Sequence, residues 1–518
     1  MPRFDRPTPA PPGLQTWHWF VLAAAVPLIH CASRLNLDLW HDEIYTVDYF
    51  VRRGPAFIVT DYSLPNNHVL YSLLLWPFFC VSESNFVLRL PSLISTIGTL
   101  ATVFLLAKRL RGITCAVLST ALLGLNQMFL IFTIQVRGYS LSMFLAAWLA
   151  SLALANGAVT GWRRWAAVAL VGGSLLYVLP TNALFFAPLA TVAVVAARMR
   201  GAGGRELAGE AVSWLLAGLL ALACYLPILS QVRKTAESSS PSSWSYLPVI
   251  AGNFLRPATH DLVWLAPLFL AGLVAWLLPR RDGLPRHGAV PALALAVAVG
   301  AFLITGLLRI SPFERNYCPL LPLMALAEGW LLTELSEAVH RRWAGRRSAE
   351  AATAVALLAV SLVLWPQLWT YPQRLEAHRT QVGADDNNGY YCYYAANYRP
   401  SAVVQYLSDI GVVRSAYRVC YTEADHLNLF YYFARSQFPL FENYLHGVPT
   451  KDGVKLFAIL PEPPPWRRLA ADCRLTPEQV GTFRLIGDFG YYRLYQAAVP
   501  LNVGWPPDAI PPREPLDE

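Results

Sequence analysis

Two adjacent carboxylates, Asp42 and Glu43, follow directly on the first long apolar run of the chain, in Leu39-Trp40-His41-Asp42-Glu43. Asp48, Asp61 and Asn66-Asn67-His68 come next, ahead of a second apolar run from Leu70 to Val81. Carboxylates beside a hydrophobic span are costly to keep there unless they are used. Asp42 is therefore the candidate catalytic base, able to take a proton from an acceptor hydroxyl. The plainer reading of the pair is a solvated loop. Further along, Arg89, Arg137-Gly138-Tyr139, Arg233, Lys234, Arg256, Arg309 and Arg315 fall in outer loops or at the outer ends of apolar runs. Arg grips phosphate oxygens in bidentate fashion and Lys meets them as a point charge. A carboxylate pair, a His and a basic set at one membrane face suggest a lipid phosphate substrate. The carboxylate would deprotonate the acceptor, and the cations would stabilise charge developing on the departing phosphate.

The elements that must position these residues are membrane spans. The chain has 518 residues, 55% hydrophobic and only 14% charged, with a mean hydropathy of +0.38; a soluble chain carries about 25% charged residues. Long apolar runs recur from Trp17 to Thr370, which makes this an α-helical polytopic membrane protein. The net charge of +8 sits largely in short basic clusters between those runs, where it sets orientation, so no nucleic-acid partner is expected.

Alternating the runs against the positive-inside rule gives about eleven transmembrane helices. Residues 1–16 form a cytoplasmic tail and 17–370 the membrane domain, with a first outer loop over 36–85. The spans expected are Trp17–Arg34, Phe86–Ala107, Ile113–Ile134, Ser140–Asn156, Trp165–Pro180, Asn182–Ala197, Val212–Leu229, Leu262–Leu278, Ala289–Leu308, Leu320–Leu335 and Ala352–Thr370. The run Leu70–Val81 is too short to cross about 30 Å of hydrocarbon, so His68–Ser82 reads as a helix at the outer interface. Gln231–Asp261 reads as a long polar outer loop. From Tyr371 the composition turns to Pro, Asp, Asn and Tyr. Residues 371–500 are expected to fold as an outer α/β domain, with strands at Tyr417–Tyr421, Val454–Leu460 and Gly490–Gln496 and a helix at Asp425–Phe433. Residues 501–518 form a Pro-rich tail.

The eight cysteines show no metal-binding spacing. Cys392, Cys420 and Cys473 share the C-terminal region, where a disulfide would be allowed on the outer side; which two would pair stays open. No cleavable signal sequence is evident at the N-terminus.

Several of these pieces resemble, in order, the GT-C membrane glycosyltransferases of the protein mannosyltransferase and aminoarabinose transferase type (glycosyltransferase family 39). Trp40-His41-Asp42-Glu43 looks like that family's first-loop Asp-Glu motif. Asn66-Asn67-His68-Val69-Leu70-Tyr71 is similar to its His-Pro-Pro-Leu-Tyr segment, with Val69 and Leu70 in place of the prolines. Arg89-Leu90-Pro91-Ser92 looks like its Arg-x-Pro-Ser helix start, and Arg137-Gly138-Tyr139 its Arg-x-Tyr turn. Arg315-Asn316-Tyr317-Cys318-Pro319-Leu320-Leu321-Pro322 resembles its Arg-Tyr-x-x-Pro-x-x-Pro segment, with Asn316 inserted.

The resemblance covers about Trp17 to Trp330 and implies a GT-C helical bundle in the inner membrane, with its N-terminus cytoplasmic and its C-terminal domain periplasmic. It implies inverting transfer of a sugar from a polyprenyl-phosphate donor to a lipid, glycan or protein acceptor of the cell envelope. Asp42 would be the base. Arg137, Tyr139, Lys234 and Arg315 would hold the donor phosphate, and His68 and Tyr317 would position substrate. Glu43 would orient Asp42 or bind a divalent cation of the kind some relatives need; with no second ligand cluster in the sequence, no metal site is assigned. The competing reading is a lipid or glycan transporter or flippase. It would place polar groups near the membrane midplane and show internal repeats, whereas here the charges gather at one face.

Overall fold

The computed structural model describes residues 15–154, 161–199, 201–238, 244–258, 289–310, 312–343, 351, 353–364, 398–412, 417–421, 426–436, 455–461 and 464–497. The chain divides into two compact units. One comprises Met1–Asn36 with Tyr45–Tyr371, the other Leu37–Ile44 with Pro372–Glu518.

The first unit is helical. Ten of the eleven expected spans carry a helix, and Leu262–Leu278 lies outside the described residues. Among the described residues four helices are long and apolar enough to cross a bilayer, with a fifth if the bent pair Ile113–Gly124 and Gln127–Ile134 counts as one. The helix Asn85–Arg111 shows how the sequence sets such an element. Ser84 caps it by accepting from the Val87 N–H at 3.4 Å. Lys108, Arg109 and Arg111 fill its last turn, where they favour the negative end of the helix dipole. Gly112, at φ +96°, then lets the chain leave and start the next helix. About 28 Å of helix separates Arg89 from Lys108, close to the thickness of the hydrocarbon layer. Arg89 and the basic cluster therefore mark opposite faces.

At the basic end the helices are tied by charge. Arg164 on Trp162–Val178 grips Glu210 on Gly204–Tyr225 with both carboxylate oxygens, at 2.6 and 2.8 Å, and the Trp214 indole also donates to Glu210 at 3.1 Å. Arg111 reaches Glu334 and Glu337 on Leu321–Trp343 at 3.0 and 2.7 Å.

The Val69–Val81 helix has 13 residues, about 20 Å, which agrees with an element that does not span. The segment expected as a polar loop over Gln231–Asp261 is different. It carries the helices Leu229–Ser238 and Leu247–Ala258. Ser and Pro dominate its composition, yet its apolar residues recur at helical spacing, which suits helices lying at an interface.

The second unit is α/β. Its four strands are β1 (Tyr417–Cys420), β2 (Lys455–Pro461), β3 (Phe483–Phe489) and β4 (Tyr492–Ala497), in the order β1-β2-β4-β3. β1 and β2 run parallel, and the other pairs are antiparallel. The helix His426–Arg435 lies in the crossover between β1 and β2, as a parallel pair requires. Leu456, Ala458 and Leu460 alternate along β2 into a core completed by Cys420, Leu469, Cys473 and Phe483. β3 was not expected from the sequence. Arg484, Gly487 and Asp488 break its apolar alternation, and its register shifts between Leu485 and Gly487.

The short segment Leu37–Ile44 belongs to this second unit. The Leu39 N–H donates to the Tyr432 hydroxyl at 2.5 Å, and Asp38 accepts from the Ser401 N–H at 2.8 Å.

Candidate active site

In the helical unit a bend in the chain sets the site. Asn126 breaks the Ile113–Ile134 span by capping the second helix, accepting from the Phe129 N–H at 3.1 Å, and the two halves bend by 68°. The second half ends at Thr133, and its last carbonyls need donors. The Asn85–Arg111 helix supplies them. Arg89, fully buried, donates from Nε to the Ile134 carbonyl at 3.1 Å and from Nη1 to that of Leu35 at 3.4 Å. Ser92 donates to the Gln135 carbonyl at 2.5 Å, and Thr96 to that of Thr133 at 3.2 Å. The Arg89-Leu90-Pro91-Ser92 segment is thus a brace. It fixes where Val136-Arg137-Gly138-Tyr139 enters the next helix.

The turn Asn66-Asn67-His68 meets the Arg137-Gly138 segment. Asn67 is buried and fastens its own loop, donating to the carbonyls of Ile58 and Asp61, each at 2.8 Å. Asn66 and His68 are thereby aimed at Arg137. Asn66 accepts from Arg137 Nη2 at 3.0 Å. His68 Nδ1 accepts from the Gly138 backbone N–H at 2.8 Å. Gly138 has to be glycine for this: a Cβ there would stand 2.8 Å from Nδ1 and 2.5 Å from Val178.

The hydrogen bond from Gly138 decides the imidazole tautomer. A backbone N–H only donates, so Nδ1 presents its lone pair and Nε2 carries the proton. His68 Nε2 and Arg137 Nη2 lie 3.4 Å apart. Both bear protons, so they are two donors side by side, suited to one acceptor oxygen between them. Tyr139 adds a third donor. Its ring meets His68 edge to face at 5.0 Å, and Arg137 lies over it at 5.1 Å. Arg315 Nε donates to its hydroxyl oxygen at 2.9 Å, which leaves the phenolic proton directed elsewhere. His68, Arg137 and Tyr139 are all buried. Such donors, buried together at low dielectric, are complementary to an anion.

Two members of this neighbourhood carry no sequence signal. Tyr62 is buried beside Tyr139 and Arg137. Burial pushes its phenol above the usual range, Tyr139 adds to the shift and the Arg137 guanidinium opposes it. Gln135 is fully buried, and neither atom of its amide has a hydrogen-bond partner among the described residues. Unsatisfied buried amides are rare.

The other expected site residues fall as follows. Lys234 is exposed on the Leu229–Ser238 helix. That helix is anchored near Tyr62 by Gln231, whose amide accepts from the Tyr62 N–H and donates to the Thr60 carbonyl at 3.1 Å; Gln231 and Lys234 share a helix face. Tyr317 stands apart from the cluster, in an aromatic group with Phe302 and Phe254, its hydroxyl 2.6 Å from that of Thr305. Asp48 is paired with Arg52 at 2.8 Å, and Arg52 also holds Glu83 at 2.7 Å. Asp61 closes a local turn by accepting from the Ser63 N–H at 3.1 Å.

The carboxylate pair lies in the second unit, on the short helix His41–Ile44. Its two members differ. Glu43 is fully buried and turns back to accept from the Trp40 N–H at 3.0 Å, capping the turn. Asp42 keeps 13% of its side chain accessible, with His41 Nδ1 3.4 Å from its Oδ1. Among the described residues no group of three or more His, Cys, Asp or Glu side chains is placed to hold a metal ion.

No family model and no curated protein matches the chain. Among solved structures it is similar to ArnT from Cupriavidus metallidurans bound to undecaprenyl phosphate, at 15% identity over 92% of this chain and 98% of that one, with a TM-score of 0.47. The same enzyme in the apo state gives 14% identity, 93% and 98% coverage and a TM-score of 0.48. The archaeal oligosaccharyltransferase AglB from Archaeoglobus fulgidus, in complex with an inhibitory peptide and a dolichol-phosphate, gives 11% identity, 85% and 62% coverage and a TM-score of 0.40. Likeness at this level assigns no family, and the chemistry rests on the side chains themselves.

Proposed function

We propose that the protein is an integral membrane glycosyltransferase of GT-C type. It moves a sugar from a polyprenyl-phosphate donor to a cell-envelope acceptor on the outer face of the inner membrane. The observation that carries this reading is the paired donors of His68 and Arg137, held by Gly138 and Asn66 at the end of the helical unit away from the basic clusters. An anion at the outer end of a membrane bundle is most simply a lipid phosphate.

In this mechanism the acceptor hydroxyl loses its proton to Asp42 as its oxygen attacks the anomeric carbon. The bond from that carbon to the phosphate oxygen breaks in the same displacement, so the configuration inverts. The lipid phosphate leaves with an added negative charge. His68 Nε2–H, Arg137 and the Tyr139 hydroxyl meet that charge, and Arg315 polarises Tyr139. Lys234 contributes a mobile point charge from the Leu229–Ser238 helix. Glu43, by capping the turn at Trp40, holds the backbone that presents Asp42.

The test is reconstitution in vesicles with a labelled polyprenyl-phosphate sugar and an envelope extract as acceptor. Wild-type protein should transfer the label, and Asp42→Asn should lose about 10²-fold or more, the scale of a removed general base. Undiminished transfer by the variant would take Asp42 out of the mechanism. Movement of the lipid between leaflets without sugar transfer would point to a flippase instead.

A further inference from the structure

Two cysteines of the second unit meet in its core. Cys420 ends β1, opposite Ala458 of β2. Cys473 ends the Trp466–Asp472 helix, its N–H bonding to the Leu469 carbonyl at 2.9 Å. The Cys473 thiol donates to the carbonyl of Tyr421, the residue after Cys420, at 3.6 Å. Both cysteines belong to one apolar cluster with Leu456, Ala458 and Leu469. Arg418 of β1 adds a second tie, donating to the Cys473 carbonyl at 2.9 Å. Both side chains are buried.

We infer that Cys420 and Cys473, present here as thiols, are joined as a disulfide in the protein on the outer side of the membrane. The bond locks the end of β1 to the end of the Trp466–Asp472 helix. The inference rests on the outer placement of the second unit and is independent of the transferase reading. Of the three cysteines in this region, the fold brings these two together; Cys392 lies outside the described residues.

The chemistry balances as a two-electron oxidation. Each thiol gives up one proton, the S–S bond forms, and two electrons pass to the disulfide of a thiol–disulfide oxidoreductase, which becomes a dithiol. One thiolate attacks the oxidoreductase disulfide to form a mixed disulfide, and the other thiol resolves it. Because both are buried in the finished core, this happens while the domain folds.

Cells making the full-length protein are lysed in denaturant with excess N-ethylmaleimide, and the protein is digested without reductant for peptide mass analysis. The expected result is one cross-linked pair, Cys420 with Cys473, that separates on reduction. Recovery of both as maleimide adducts, or of either linked to Cys392, overturns the inference. In the first of those cases, oxidised glutathione added to the detergent-solubilised protein tells which premise failed. Pairing of Cys420 with Cys473 at that stage means the domain had been in a reducing compartment, and no pairing means the two thiols do not meet.

Discussion

We propose His68 and Arg137 as one anion-binding unit, set by the glycine that stands between the arginine and the tyrosine. The Gly138 N–H fixes the imidazole tautomer, and the absent Cβ lets the ring approach. Gly138→Ala drives a methyl group into Val178 and His68 and breaks that bond. It should weaken polyprenyl-phosphate binding by about 1–3 kcal/mol, roughly 5- to 150-fold in Kd by titration of the solubilised protein. Arg137→Lys keeps the charge but loses the planar fork that serves Asn66 and the phosphate together. We expect about a 10-fold loss of donor affinity with unchanged thermal stability. Equal affinity in both variants and wild type would mean the pair serves packing alone. Sequence placement singled out Asp42 as a candidate base, and the family resemblance added roles for His68, Arg137 and Arg315. It left the role of Glu43 open, since the bond from the Trp40 N–H to Glu43 depends on how the turn closes. Nor did it show Tyr62 or Gln135, which are ordinary residues until the fold buries them.

The helix Asn85–Arg111 carries the bend that presents Arg137. Arg89, Ser92 and Thr96 supply donors to four carbonyls, three at the end of the Gln127–Thr133 helix and just beyond it and one at Leu35. Arg89→Ala strands two of these buried acceptors, at about 1–3 kcal/mol each. It should therefore lower the unfolding temperature in detergent and donor affinity together, where Arg137→Lys lowers affinity alone. A variant that melts like wild type would show that the brace is dispensable. The apolar helices were legible because a bilayer demands long uninterrupted runs. The Leu229–Ser238 and Leu247–Ala258 helices were not, because an interfacial helix writes its signal as one apolar face among polar residues. β3 escaped for a related reason: a bulge and exposed charges hide its alternation.

At the scale of the molecule, the division into two units does not follow the linear order. The carboxylate pair sits between residues of the helical unit in sequence, yet Leu37–Ile44 folds with the C-terminal unit through Tyr432 and Ser401. A loop eight residues long gives no sequence sign of such a distant partner. The orientation has its own test. A membrane-impermeant maleimide applied to intact spheroplasts should label Ser238→Cys above the wild-type background and leave Gly201→Cys at background. The reverse pattern would invert the topology that the basic clusters at Lys108–Arg111 and Arg163-Arg164 imply.

The central claim is that the helical unit recognises a lipid through its phosphate. It is tested most directly by equilibrium binding of a polyprenyl monophosphate and of the matching polyprenol to the full-length protein and to Arg137→Ala. The account predicts saturable binding of the phosphate form to wild type, little binding of the alcohol, and at least a 10-fold weaker Kd for the variant, the cost of removing a charge-assisted contact. Equal binding of phosphate and alcohol, or an unchanged Kd in Arg137→Ala, would contradict it.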